Sequence, residues 1–363
     1  MQHTDYMNLA LQLAKATEGQ TSPNPSVGAV LVRNNQVVGI GSHLFAGMEH
    51  AEIYAIDMAK ANANGATLYV TLEPCVHHGK QTPPCAKDII DAGIKSVYIA
   101  TLDLNPEVAS NGVKALLDAG VHVEVGLLEF EAKQLNQKFF YYIQNKLPYL
   151  TLKAGISLDS KLATYTTESK WISNPKSLAD SYYYRHNHDA ILVGIGTVLI
   201  DNPSLTTRIE GGGKNPIRVV LDTNLRTPLE SNLITDGLSP TLIVCGNGVS
   251  DEQIAKFASF SLVKILKMPT PEIDLFIMLK KLAELQVTSI LVEGGNKIIS
   301  SFLDKGLINQ LVLYIAPILI GGKNAPTFFA GTGFAKLSEA LKLEFEPVEY
   351  LDGDIKIVAN RVV

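Results

Sequence analysis

Cysteine is scarce in this chain of 363 residues: there are three in all. An odd, small number in a long sequence excludes a disulfide framework and points to a reducing compartment, where each thiol is available as a thiolate. An excess of charge is missing too. With 18% charged residues, a formal net charge of -5 and no run of Lys and Arg, nothing draws the chain toward nucleic acid. Apolar runs stay short of the roughly 18 unbroken residues of a membrane span. The first residues hold no basic segment followed by an apolar one. The expectation is a cytoplasmic protein with no nucleic-acid and no membrane partner. Internal repeats and low-complexity tracts are also absent, which sets aside repeat architectures.

What remains is a sequence of globular composition, 46% hydrophobic, too long for one ordinary core and well sized for two. The first third alternates helical and extended patterns. Apolar spacing at residues 5–11 predicts a helix over a sheet, and residues 27–32 and 37–40 read as strands. Asn34 and Asn35 between them suit a tight hairpin turn, because Asn tolerates positive φ. Residues 50–60 and 85–92 read as helices, the second ended by Gly93, and 67–72 and 97–101 as strands. A further helix is expected at 129–143. Polar residues and Pro148 then precede a new extended segment at 149–153, which places a domain boundary between residues 146 and 147. Beyond it, residues 190–193, 217–221, 241–245, 289–292 and 311–315 read as strands, with helices at 272–285 and 297–302 among them. Both halves are therefore expected to be layered α/β domains, the second with a largely parallel sheet.

The chemistry-bearing residues of the first half are His50, Glu52, Cys75 and Cys85. An imidazole and two thiolates suit tetrahedral zinc and leave a fourth position for water, the open arrangement of a catalytic site. A metal there brings the pKa of bound water toward neutrality. Glu52 is then free to move protons between that water and a leaving amine. Two residues apart on an ideal helix, His50 and Glu52 point about 200° apart, but at a helix opening both can line one cavity. Cys85 follows Pro83 and Pro84 at a helix start, where the helix dipole favours a thiolate, and Cys75 follows Pro74 at a strand end. In the second half, glycines follow the strands at Gly194 and Gly196 and at Gly294 and Gly295, the latter pair opening a helix that could face a phosphate. No GxGxxG accompanies them, so a Rossmann site is not signalled. Arg185 and Arg208 are candidates for a substrate phosphate, which a planar guanidinium can grip with two parallel hydrogen bonds. Each of these glycines and arginines also fits an ordinary turn or surface position.

TSPNPSVGAVLV, HAE and TLEPCVHHGKQTPPC, followed in order by KAGISLDSKLAT, ESKWIS, ILVGIGTVLIDNPSLTTR, RVVLDTNLRTP and LVEGGNKIISSFL, resemble the bifunctional deaminase/reductase family of riboflavin biosynthesis. The resemblance covers nearly the whole chain. It implies a cytidine-deaminase-like three-layer α/β/α domain at 1–146 and a dihydrofolate-reductase-like α/β domain at 147–363. One zinc per deaminase domain, held by His50, Cys75 and Cys85, and Glu52 as the catalytic acid and base follow from it. So do NADPH as reductant and a homodimer formed through the reductase domain. Asn24 would contact the deaminase substrate, with His77 and His78 on the substrate side and His43 supporting the fold. Gly155, Trp171, Thr197, Asp201, Asn224, Gly295, Asn296, Lys297, Ile298, Ile299, Ser300 and Ser301 would line NADPH, although Trp171 equally fits a core position. Ser169, Arg185, Leu205, Arg208 and Glu293 would hold the ribosyl-phosphate substrate.

This chain departs from the family pattern in four places. Nine residues lie between Cys75 and Cys85, one more than is usual, with the extra residue near Gln81. Ser160 stands where glycine is usual, and Gly155 where a larger small residue is frequent. Asn105-Pro106-Glu107 lacks the usual glycine-rich continuation at Ala109-Ser110-Asn111. The resemblance implies deamination of a phosphoribosylamino-substituted diaminopyrimidinone and then reduction of its ribosyl group to ribityl. Its rivals are a deaminase of nucleosides or tRNA bases, and a noncatalytic nucleotide-binding scaffold with structural zinc.

Overall fold

The computed structural model describes residues 1–76, 84–105 and 110–362. They form two compact units, Met1–Lys146 and Leu147–Val363.

The first unit runs α1 (His3–Lys15), β1 (Gly28–Arg33), β2 (Gln36–Ser42), α2 (Ala51–Ala59), β3 (Thr67–Leu72), α3 (Cys85–Asp91), β4 (Ser96–Thr101), α4 (Asn111–Asp118), β5 (His122–Val125), α5 (Glu129–Leu135) and α6 (Gln137–Asn145). Its five strands lie in the order β2-β1-β3-β4-β5. The hairpin β1-β2 turns through Asn34 and Asn35, both at positive φ, while β3, β4 and β5 run parallel. Alternation along β1 builds three layers. Ala29 and Leu31 pack with residues of α2, α3 and α4; Val30 and Val32 pack with α1 and α5. The single helix expected at 129–143 is two helices, because Asn136 turns inward. Its side chain takes the N–H of Ser26 at 2.9 Å and gives its own N–H to the Ser26 carbonyl at 2.9 Å, which stops the regular helix.

The second unit runs β6 (Tyr149–Ser157), α7 (Pro175–His186), β7 (Ala190–Gly194), α8 (Ile195–Asp201), β8 (Ile217–Leu221), α9 (Asn232–Thr235), β9 (Thr241–Cys245), α10 (Asp251–Ala255), β10 (Val263–Lys267), α11 (Leu275–Glu284), β11 (Ser289–Val292), α12 (Asn296–Asp304), β12 (Gln310–Ala316), β13 (Leu343–Phe345), β14 (Glu349–Leu351) and β15 (Asp354–Arg361). The sheet order is β10-β9-β8-β7-β11-β6-β12-β15-β13, with β14 beside β15. From β10 to β12 every pairing is parallel, and β12-β15 is antiparallel. Both faces are covered. Leu150, Leu152, Ile290 and Val292 meet α11 and α12, whereas Ile191, Val193, Val220 and Ile243 face α8, α9 and α10. Parallel strands end together at their carboxyl edge, so the residues after β7, β8 and β11 share one rim.

Candidate active sites

In the first unit His50 is not inside α2 but is its N-cap, with extended backbone (φ -77, ψ 160). That conformation lets His50 and Glu52 reach one cavity despite their separation by two. Cys75 leaves the end of β3 and Cys85 opens α3. His50 Nδ1 lies 2.9 Å from Cys85 Sγ and 3.6 Å from Cys75 Sγ, and the three ligand atoms all lie within 4.8 Å of one another. Donor arms of about 2.0–2.3 Å to a tetrahedral zinc need spacings of this size. The donor set and its geometry therefore fit the metal. Between the sulfurs, the hydrogen bond from Cys85 and the neighbouring His50 bring the Cys75 thiol down to about 4 against the opposing effect of burial, while Cys75 and burial push Cys85 up. Glu52 is buried, 3% exposed. Burial raises its pKa, an effect that His50 partly opposes.

Two further groups support this centre. Glu73, which precedes Pro74-Cys75, is buried and accepts backbone N–H bonds from Asp103, Ser110, Gly112 and Val113 at 2.9–3.3 Å. It ties the start of α4 to the strand end that carries Cys75. His43, expected only to support the fold, stands edge-on to His50 with ring centroids 5.5 Å apart. Its Nδ1 lies 3.0 Å from the Glu49 carbonyl, which can only accept, so that nitrogen carries the proton. Nε2 then accepts from the Asn24 amide at 3.1 Å. Asn24 is thus held with its NH2 group toward His43 and its carbonyl oxygen available to a ligand. His77, His78, Gln81 and Pro83, and likewise Pro106, Glu107 and Ala109, lie outside the described residues.

In the second unit some of the expected cofactor residues, those at the starts of α8 and α12, lie on the carboxyl rim. A side chain at Gly194 would lie 2.6 Å from Ile298, and one at Gly294, 2.9 Å from Thr197; the α8 and α12 starts therefore sit against each other. Nothing lies within 4 Å of a side chain built at Gly196 or Gly295, and no side chain caps α12. Open space in front of two glycines and an uncapped helix start fits a dinucleotide phosphate. Asn224 is exposed just past β8. Trp171 is 69% exposed, which removes the core reading, and Lys170 Nζ meets Asp201 Oδ1 at 3.2 Å, joining the Trp171 segment to the end of α8. Gly155 backs onto Ser173, whose Oγ is 3.2 Å from where a side chain would begin. Within 295–301, Ile299 is fully buried in the core, and the Ser300 hydroxyl accepts the Ala330 N–H at 3.0 Å. Gly295, Lys297 and Ser301 are the exposed members, with Asn296 and Ile298 half-buried. Ser160 adopts φ 62, the left-handed conformation that a glycine takes more cheaply.

The substrate candidates divide. Arg185 and Glu293 form a two-pronged pair, Nε to Oε1 at 3.2 Å and Nη2 to Oε2 at 3.0 Å, and Arg185 Nη1 also donates to the Thr206 carbonyl at 2.9 Å. Leu205 is buried, whereas Arg208 and Ser169 are exposed. Sequence reasoning missed Lys153, whose Nζ lies 3.7 Å from Glu293 Oε1. Burial lowers the Lys153 pKa. Burial alone would raise that of Glu293, but Arg185 and Lys153 outweigh it and bring it to about 2. The available signal was one lysine, the single charged residue of the buried run that becomes β6. Tyr314 donates to Asp180 at 2.6 Å on the same sheet face.

Two family models match the chain: the cytidine and deoxycytidylate deaminase zinc-binding region over residues 1–101 and the RibD C-terminal domain over residues 148–357. The riboflavin biosynthesis protein RibD of Bacillus amyloliquefaciens is 46% identical over 354 residues, covering 98% of this chain and 95% of its own. That of Aquifex aeolicus is 42% identical, covering 98% of both chains. Among solved structures, Acinetobacter baumannii RibD superposes with a TM-score of 0.88 at 34% identity over 99% of both chains. A Thermotoga maritima protein described as a diaminohydroxyphosphoribosylaminopyrimidine deaminase and phosphoribosylaminouracil reductase has a TM-score of 0.86 at 33% identity, covering 99% of this chain and 98% of that one. A cytidine-deaminase-like domain and a reductase domain are both present, and among the described residues no helix is long and apolar enough to cross a membrane. The chain belongs to the RibD family, the bifunctional deaminase/reductases of riboflavin biosynthesis.

Proposed function

We propose that the first unit removes an amino group from a phosphoribosylamino-substituted diaminopyrimidinone, and that the second reduces the ribosyl group of the deaminated product to ribityl with NADPH. The observation that carries the reading is the convergence of His50, Cys75 and Cys85 beside the buried carboxyl of Glu52. His50, Cys75 and Cys85 would hold zinc, which when bound would lower the pKa of a water there. Glu52 takes a proton as the carbon–oxygen bond forms and delivers one to the departing amine, so that ammonia leaves. The Asn24 side-chain oxygen, left unused by the amide's contact with His43, accepts an N–H of the pyrimidine.

NADPH, when bound, would supply a hydride to the anomeric carbon of the sugar as the ring carbon–oxygen bond opens and its oxygen takes up a proton. The start of α12, the open glycines and Trp171 would hold the cofactor. Arg208 takes the substrate phosphate, while Arg185 and Lys153 keep Glu293 ionised. Lys153, the buried ammonium paired with Glu293, is the group that can give up the proton that accompanies the hydride. The same reading carries one zinc per chain, NADPH over NADH, a cytoplasmic setting, and a homodimer through the reductase domain that sedimentation would detect.

Glu52→Ala is the direct test. The variant should retain zinc by metal analysis yet lose ammonia release by about 100-fold or more, while it still oxidises NADPH on supplied deaminated substrate. Loss of both activities in a folded variant sinks the two-site reading.

A further inference from the structure

The two arginines available for a phosphate are not equivalent. Arg185 spends its fork on Glu293 and a third N–H on Thr206, and its side chain is 13% exposed. Arg208 is exposed and sits in residues 202–216, which contain no helix or strand. Among the described residues no carboxylate or carbonyl takes its N–H groups. What it meets is an aromatic face: its Cζ lies 5.9 Å from the ring centroid of Tyr182. The Arg185 guanidinium meets the same ring, with Cζ 5.4 Å from the centroid. Tyr182 and Arg185 are three residues apart on α7 and therefore share a helix face. Arg208 arrives from the loop after α8, so one ring joins a rigid helix to an irregular segment.

We propose that Tyr182 is a positioning residue for the reductase substrate. Its ring holds Arg208 beside Arg185, so the phosphate meets a guanidinium that is already ordered. A cation over an aromatic ring keeps its N–H groups for other partners, since the ring takes none of them as a conventional hydrogen-bond acceptor would. A long side chain on a loop otherwise loses conformational freedom when it binds, and ordering it beforehand removes that cost. The inference rests on Arg208 as the phosphate ligand.

The test uses the full chain with zinc and NADPH and the deaminated phosphoribosyl substrate. Tyr182→Leu should raise the KM for that substrate about three- to ten-fold, change kcat less than about two-fold and leave the KM for NADPH in place. Tyr182→Phe keeps the aromatic face and should keep the wild-type KM. Competitive inhibition of reduction by inorganic phosphate should weaken in Tyr182→Leu by the same factor. In an Arg208→Ala background Tyr182→Leu should add nothing. The proposal is overturned if the two substitutions act additively, or if Tyr182→Phe is as damaging as Tyr182→Leu. An unchanged KM in Tyr182→Leu beside a raised one in Arg208→Ala overturns it alone. An unchanged KM in Arg208→Ala removes the phosphate reading, and the proposal with it. Tyr182→Met provides a second nonaromatic variant should the Leu variant fail to fold.

Discussion

Glu293 concentrates the electrostatics of the second unit in one side chain. Burial favours its neutral form, yet Arg185 and Lys153 bring its pKa to about 2. A carboxyl whose pKa is lower folded than unfolded contributes stability above its unfolded value, and the contribution disappears as pH falls through the folded one. We therefore expect about 3 kcal/mol of second-unit stability to be lost between pH 4.5 and about 2. Denaturant unfolding at a series of pH values measures it, and Glu293→Gln, already destabilised at neutral pH, should show no such slope. At this scale the sequence reveals residues whose chemistry is rare. His50, Glu52, Cys75 and Cys85 stand out because few other roles need that set in that order. Lys153 and Tyr182 do not, since a lone lysine or a tyrosine on a helix reads as solvated surface until the packing of α7 over the sheet is known.

Elements position these residues through close backbone approach. A side chain on Gly112 in the first turn of α4 would begin 2.1 Å from the Pro74 carbonyl oxygen, and Pro74 adjoins Cys75, a proposed metal ligand. Gly112→Ala must shift one backbone or the other. We expect zinc affinity to fall about ten-fold, as for other groups that orient a metal ligand, measured by competition with a chelator, while reduction of supplied substrate continues. Elements with strong apolar pattern were legible: β3 falls at the expected residues, and the two asparagines turn the first hairpin. β10 and β13 were not. Both lie at sheet edges, both are only partly buried, and β10 carries lysines at Lys264 and Lys267, so neither shows a buried face to periodicity. The break at Asn136 was equally hidden, because its cause is a partner 110 residues away.

Among the described residues there are two sheets, and no strand belongs to both. Each unit has its own core, so heating should give separable transitions. Zinc bound only to the folded first unit stabilises that unit, by about 4 kcal/mol for metal at about a thousand times its Kd. Chelation should lower that transition and leave the other in place, as calorimetry would record. Two domains were legible from length and from the break in pattern near Pro148; the order of strands was not, because β11 inserts between β7 and β6 by long-range pairing that no local pattern announces. The Arg185, Lys153 and Glu293 cluster has a consequence at this scale. Two cations face one carboxylate, and Arg208 adds a third positive charge nearby, on a chain whose net charge is -5. On the proposed reading, a doubly charged phosphate is repelled by the net charge of the chain and drawn to this one spot on it. Salt should therefore slow its arrival while scarcely changing the chemistry that follows.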